Sequence, residues 1–256
     1  MMRALLIRGM LAGVLAGLVA FGVARLIGEP HVERAIAFET QMNESKSKAD
    51  MGSGMDKPPV DAPGLVSRAV QSGIGLLTGV VTYRTAFGGL FALGFGFLYG
   101  RIGYLSPRAT AALLGGAGFV SIYLVPNLKY PANPPSIGLA ETIGLRTAEY
   151  FGAVAISLAA MMLAVMMHQR LEARLGGWNS MVAVAGAYIA LVVVAFAVMP
   201  ELNEVPDDFP AVVLWKIRIA SLGIQLAMWI TLAFIFGALA EVFVLGPATR
   251  PRRAVR

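Results

Sequence analysis

The densest group of residues able to do chemistry lies among three prolines. Glu201, Asn203, Glu204, Asp207 and Asp208 fall within eight positions, set among Pro200, Pro206 and Pro210. Proline fixes φ and removes a backbone donor, so this stretch is not one regular helix and its side chains are held on a constrained path. Carboxylate and amide oxygens are hard donors, suited to a divalent cation. Glu141 and Glu149 form a second acidic pair, eight residues apart. On one straight helix they share a face about 12 Å apart along the axis. They would then be successive stations on an ion path, or partners for Arg146 and Lys129. His31 adds an imidazole, which shifts preference toward first-row transition metals. The candidate metal-ligating set is Glu201, Asn203, Glu204, Asp207, Glu141, Glu149 and His31. Arg84, which interrupts an apolar run, and Arg146 are placed on a transport path, because an ionisable residue within a span is a functional candidate. Each has a plainer reading: an isolated acid is solvated or neutralises a nearby Lys or Arg, and Arg84 snorkels outward or pairs with a carboxylate.

Other chemistry is absent. The chain has no Cys, which excludes disulfides, thiolate metal sites and thiol catalysis. None of its Lys residues follows a phosphate-cradling glycine loop, its two His lack zinc-hydrolase spacing, and it has no Gly-x-Ser-x-Gly elbow. No enzymatic activity and no bound cofactor are expected. The basic run from Arg250 to Arg256 reads as an anchor near anionic lipid, not as a nucleic-acid site.

These residues need elements to position them, and composition says which. Hydrophobic residues make up 57% of the 256 and charged residues 14%, with mean hydropathy +0.70. That is too apolar for an ordinary soluble domain. A membrane helix needs about 20 mostly apolar residues. Six stretches qualify, near 5–27, 75–99, 109–126, 147–167, 180–200 and 219–244. They are continuous rather than alternating, so a β-barrel is disfavoured. The expected fold is all-α, a polytopic helix bundle in a lipid bilayer. Gly22-Val23-Ala24 also permits a cleaved leader, but the long run and Gly9, Gly13 and Gly17 at four-residue spacing favour a retained, closely packed helix.

Arginines at the span ends set the orientation. With both termini cytoplasmic, Arg3, Arg8, Arg101, Arg108, Arg170, Arg174 and the C-terminal arginines lie inside, and most acids lie outside. The outer loops are then the long ones. In the first, Pro30 restarts a short helix that ends near Glu39 or Gln41, and 43–63 is a flexible linker by composition.

The loops resemble those of the CbtA family, predicted cobalt transporter subunits of bacteria. The likeness rests on Arg8-Gly9-Met10-Leu11-Ala12-Gly13, on Gly28-Glu29-Pro30 through Ala35-Ile36-Ala37-Phe38-Glu39, and on the proline-rich run Pro126 to Pro135. It extends to Glu141-Thr142 with Arg146-Thr147, Asn203-Glu204-Val205-Pro206, Phe209-Pro210-Ala211, Leu214-Trp215 and Arg218. The resemblance implies an inner-membrane permease subunit taking up cobalt for cobalamin synthesis, with nickel as a second candidate. It also implies a small single-span partner with a His-rich end. Many members of the family carry His in the first outer loop, whereas 43–63 here has none. The competing reading is a membrane scaffold that holds a metal-delivery or assembly partner without transporting.

Overall fold

A computed structural model describes residues 1–51, 67–101, 103, 105–134, 137, 138, 140–206 and 208–246. Every regular element among them is helical. The main elements are α1 (Met2–Val23), α2 (Glu29–Met51), α3 (Arg68–Val70), α4 (Leu76–Leu98), α5 (Pro107–Gly118), α6 (Val125–Lys129), α7 (Ile143–Val198) and α8 (Ala211–Leu245). Three π-helical turns, Ala24–Gly28, Gln71–Gly75 and Phe119–Leu124, run directly into α2, α4 and α6. Five helical stretches are long and apolar enough to cross a membrane: Met2–Met42, Arg68–Leu98, Pro107–Lys129, Ile143–Val198 and Ala211–Val244.

The difference from six is located at Gly176. α7 has 56 residues but is broken there, at φ 76° and ψ 163°. That positive φ is a backbone region glycine enters without a Cβ penalty. The Ser157 and Tyr188 hydroxyls nonetheless meet at 2.7 Å, although a straight helix would hold them about 46 Å apart. α7 is therefore a helical hairpin, and its arms carry the apolar runs at 147–167 and 180–200.

The chain divides into two compact units. The first comprises Met1–Pro30, Gln41–Gly116 and Gly223–Arg256. Here α1 and α4 pack antiparallel: Gly9 faces Gly88, Gly13 faces the Arg84 backbone, and Gly17 faces Val81. A Cβ on Gly13 would collide with the Arg84 carbonyl, and one on Gly88 with that of Gly9. In lipid, where burial of apolar surface gives no drive, such backbone contact is what holds helices together. The other wall is aromatic, with Phe91 and Phe95 of α4 edge-on to Phe236 of α8 at 5.4 and 5.1 Å. Ser106 caps α5, accepting from the Ala109 amide at 3.2 Å, with Pro107 in the first turn where its missing donor costs nothing.

Two π-turns are joined within this unit. Arg25, in one, donates to the Ser72 carbonyl in the other at 3.3 Å, and Arg68 pairs with Glu29 beside them. The turn at Ala24–Gly28 precedes Pro30. Proline lacks the N–H for an i−4 bond and its ring crowds that carbonyl. A wider π-turn absorbs both defects, so the helix does not stop and restart as expected but continues to Met51. The expected linker 43–63 is therefore helical as far as Met51, and 52–63 lies outside the described residues.

The second unit comprises His31–Thr40 and Ala117–Leu222. It holds α6, the α7 hairpin, the first turns of α8 and the two proline-rich connections. Phe38 packs edge-on against Phe209 at 5.4 Å, and the Tyr123 and Ser221 hydroxyls meet at 2.8 Å.

Candidate functional site

The second unit contains a cavity of about 580 Å³ whose wall includes Lys129, Tyr130, Asn133, Arg146, Glu201 and Arg218. Two prolines shape one side. Pro131 and Pro134 keep the chain after α6 from forming a helix, and Asn127 Oδ1 accepts from the Ala132 amide at 3.2 Å, fixing the path of that connection. Tyr130 then reaches across, donating to the Pro200 carbonyl at 2.9 Å, with Glu149 Oε2 at 3.5 Å. Burial, and then the Glu149 carboxylate, push the Tyr130 hydroxyl above its ordinary value, so it remains a donor. Lys129 donates to the Phe196 carbonyl at 3.0 Å, supplying one of the orphan acceptors near the end of α7.

Arg146 organises the floor. Its Nε lies 3.3 Å from Glu204 Oε2, and its Nη1 donates to the Ile137 carbonyl at 3.3 Å. The pair is largely enclosed, with side chains 30% and 14% exposed. Gly138, at φ 112°, passes so close that a Cβ would overlap both partners. One ion pair thereby ties the 137–138 segment to the acidic loop. Arg218 of α8 donates through Nη2 to Asn133 Oδ1 at 3.2 Å. Its Nε is buried and has no hydrogen-bond partner among the described residues.

The structure brings together part of the expected set. Glu201 and Asn203 line the cavity, Glu204 and Arg146 form its ion pair, and Glu149 reaches it through Tyr130. Glu141 does not share a straight helix with Glu149; it sits in the 3-10 turn Ala140–Thr142 and is exposed. Its proline-rich approach and the tight Gly138 turn break the helix that the spacing suggested. Arg146 chooses Glu204 rather than Glu141 or Glu149, and Lys129 chooses a carbonyl. His31 is half-buried in α2 with Arg34 and Lys216 as its charged neighbours, a cationic setting unfavourable for metal. Asp207 lies outside the described residues. Among those described, no group of three or more His, Asp or Glu is arranged to hold a metal ion.

Arg84 belongs to the first unit. Its Nη2 donates to Gln225 Oε1 at 3.3 Å, and its guanidinium lies 5.2 Å from the Tyr83 ring centroid. An amide and a ring face, not a carboxylate, are its partners.

Sequence reading underrated Tyr130, Asn133 and Arg218. For the first two the signal was there in the run Pro126 to Pro135, where Asn127, Lys129, Tyr130 and Asn133 sit among prolines.

The long apolar helices, the hairpin at Gly176 and a polar cavity beside them define a polytopic membrane protein. The family described as probable cobalt transporter subunit, CbtA, matches residues 2–241, and the chain belongs to that family. That description is of a transporter subunit. No curated protein and no solved structure matches the chain.

Proposed function

We propose that this chain is the membrane-embedded subunit of a Co²⁺ uptake system in a bacterial inner membrane, feeding cobalamin synthesis. It crosses the bilayer six times, the α7 hairpin counting as two crossings, with both termini cytoplasmic. A small single-span partner with a His-rich segment delivers the ion.

The observation that supports this most is a carboxylate-bearing cavity in a chain whose family match runs from residue 2 to residue 241. Glu201 and Asn203 are the oxygen donors already on the wall. Glu204 becomes a third when the incoming ion takes it from Arg146, and Asp207 a fourth. Binding then loosens the ion pair that ties the acidic loop to Gly138, which couples capture to movement of the loop. Glu149 and Glu141 are further stations, His31 a weak one. Arg146 lines the path in this unit and repels the ion from resting places, so that it moves on; Arg84, in the first unit, remains a candidate for the path.

The test is accumulation of radiolabelled Co²⁺ in membrane vesicles holding this chain with its His-rich partner. Uptake above that of empty vesicles is expected. The absence of uptake in vesicles shown to hold both chains would overturn the reading.

A further inference from the structure

The cavity of the second unit has a side that a cation does not explain. Three of its lining side chains are cationic, Lys129, Arg146 and Arg218, against one lining carboxylate, Glu201. Glu204 neutralises Arg146. Counting Glu204 and the Glu149 carboxylate beside Tyr130, the charges cancel, but Arg218 and Lys129 are left with neutral partners, the Asn133 amide and the Phe196 carbonyl.

Arg218 is the less satisfied of the two. A guanidinium offers five N–H donors in a planar fork. Arg218 uses Nη2 on Asn133, a neutral amide, and its Nε–H is buried with no acceptor among the described residues. Leaving a buried charged donor unmade is costly. The donors left to Arg218 are the two N–H of Nη1 and the second N–H of Nη2. Lys129 spends one of its three donors on the Phe196 carbonyl, and Tyr130 has its hydroxyl held in the donor form. The rest of the wall is apolar or proline, including Leu128, Ile137 and Leu202. The volume, about 580 Å³, is that of a small-molecule pocket rather than of a single ion.

We infer that this cavity binds a small carboxylate anion, with the Arg218 guanidinium as its principal partner and Lys129 as its second. A planar carboxylate matches the fork in two parallel bonds. A dicarboxylate offers a planar group to each of these two cations, whereas phosphate carries both of its charges on one compact tetrahedral centre. The anion enters either free or as a counter-ligand already bound to a divalent cation; in the second case its metal end faces Glu201 and Asn203. Recognition by Arg218 is the same in both, and it stands whether or not the chain moves cobalt.

The experiment is calorimetric titration of the full chain in detergent with succinate, with inorganic phosphate, and with succinate plus equimolar Co²⁺. Succinate should bind, with or without the metal, at least tenfold more tightly than phosphate. Arg218→Gln should weaken succinate binding at least tenfold, and Arg218→Lys, which keeps the charge but loses the fork, several-fold. Circular dichroism of each variant confirms that the helices are intact; should Arg218→Gln not fold, Arg218→Lys carries the test. Equal binding with and without Co²⁺ identifies the free anion, and binding only with Co²⁺ identifies the metal-bound one; both support the assignment. No succinate binding in either form, tighter phosphate binding, or undiminished binding to the folded Arg218 variants would overturn it.

Discussion

The two units solve opposite problems with the same helical material. In the first, glycines at four-residue spacing let α1 and α4 touch backbone to backbone, and nothing but side-chain hydrogens fits between them. In the second, prolines at 131, 134, 200, 206 and 210 keep two connections from becoming helix, and an ion pair ties these connections together beside an open cavity. Small residues close space and leave no room for a ligand. Prolines with paired charges keep space open and line it with donors. The lesson is that in a chain this apolar, the polar cavity is found where helix formation is prevented.

That contrast can be broken most severely in the first unit. Gly88→Leu forces a branched side chain against the Gly9 carbonyl. Overpacking of this kind costs about 3 kcal/mol, with a matching fall in melting temperature. The same change at Gly186, where nothing lies within 4 Å of the Cβ position, should shift stability by no more than about 0.5 kcal/mol. Similar losses at both sites would show that the α1–α4 contact is not tight.

In the second unit the largest single loss is expected from Glu204→Ala, which strips the carboxylate from a mostly buried Arg146. The expected cost is about 1–3 kcal/mol. A double-mutant cycle with Arg146→Ala, read by thermal unfolding in detergent, should recover a coupling of about 1 kcal/mol or more. Strict additivity would mean that the pair does not hold the acidic loop.

The smallest effect belongs to Tyr130→Phe. It deletes the 2.9 Å bond to the Pro200 carbonyl and should cost about 1 kcal/mol. The sign of its pH dependence follows from the raised pKa. The neutral hydroxyl is favoured in the fold, so its contribution is present below the ordinary tyrosine value of about 10 and is lost as pH rises past the raised one. Wild type should therefore lose its advantage over Tyr130→Phe in strongly alkaline buffer. An advantage that persists there would place the bond elsewhere.

Much of the first unit was legible from residue spacing alone. Gly9, Gly13 and Gly17 announce a close helix contact, and continuous apolar runs announce spans. The hairpin at Gly176 was legible as two runs separated by a short polar stretch, although helical geometry persists up to the bend. The long helix through Pro30 was not, because a π-turn that absorbs a proline leaves no compositional trace. The acidic loop was singled out from spacing, and its Glu201 and Asn203 line the cavity, but its partners were not legible. Whether Glu204 pairs with Arg146 or Lys129 depends on where the Gly138 turn sends the chain, and a positive φ at one glycine cannot be read from spacing. Arg218 was visible only as one more arginine near a span end. Its importance rests on a burial and a missing acceptor that exist only in three dimensions.

The central claim is that the second unit's cavity is where the transported ion is recognised. Its most direct measurement is uptake of radiolabelled Co²⁺ by membrane vesicles holding the partner subunit and the double variant Glu201→Gln with Glu204→Gln. The account predicts a fall of at least tenfold against wild type at equal protein level. Uptake at the wild-type rate, with the variant folded and present in the membrane, would contradict it.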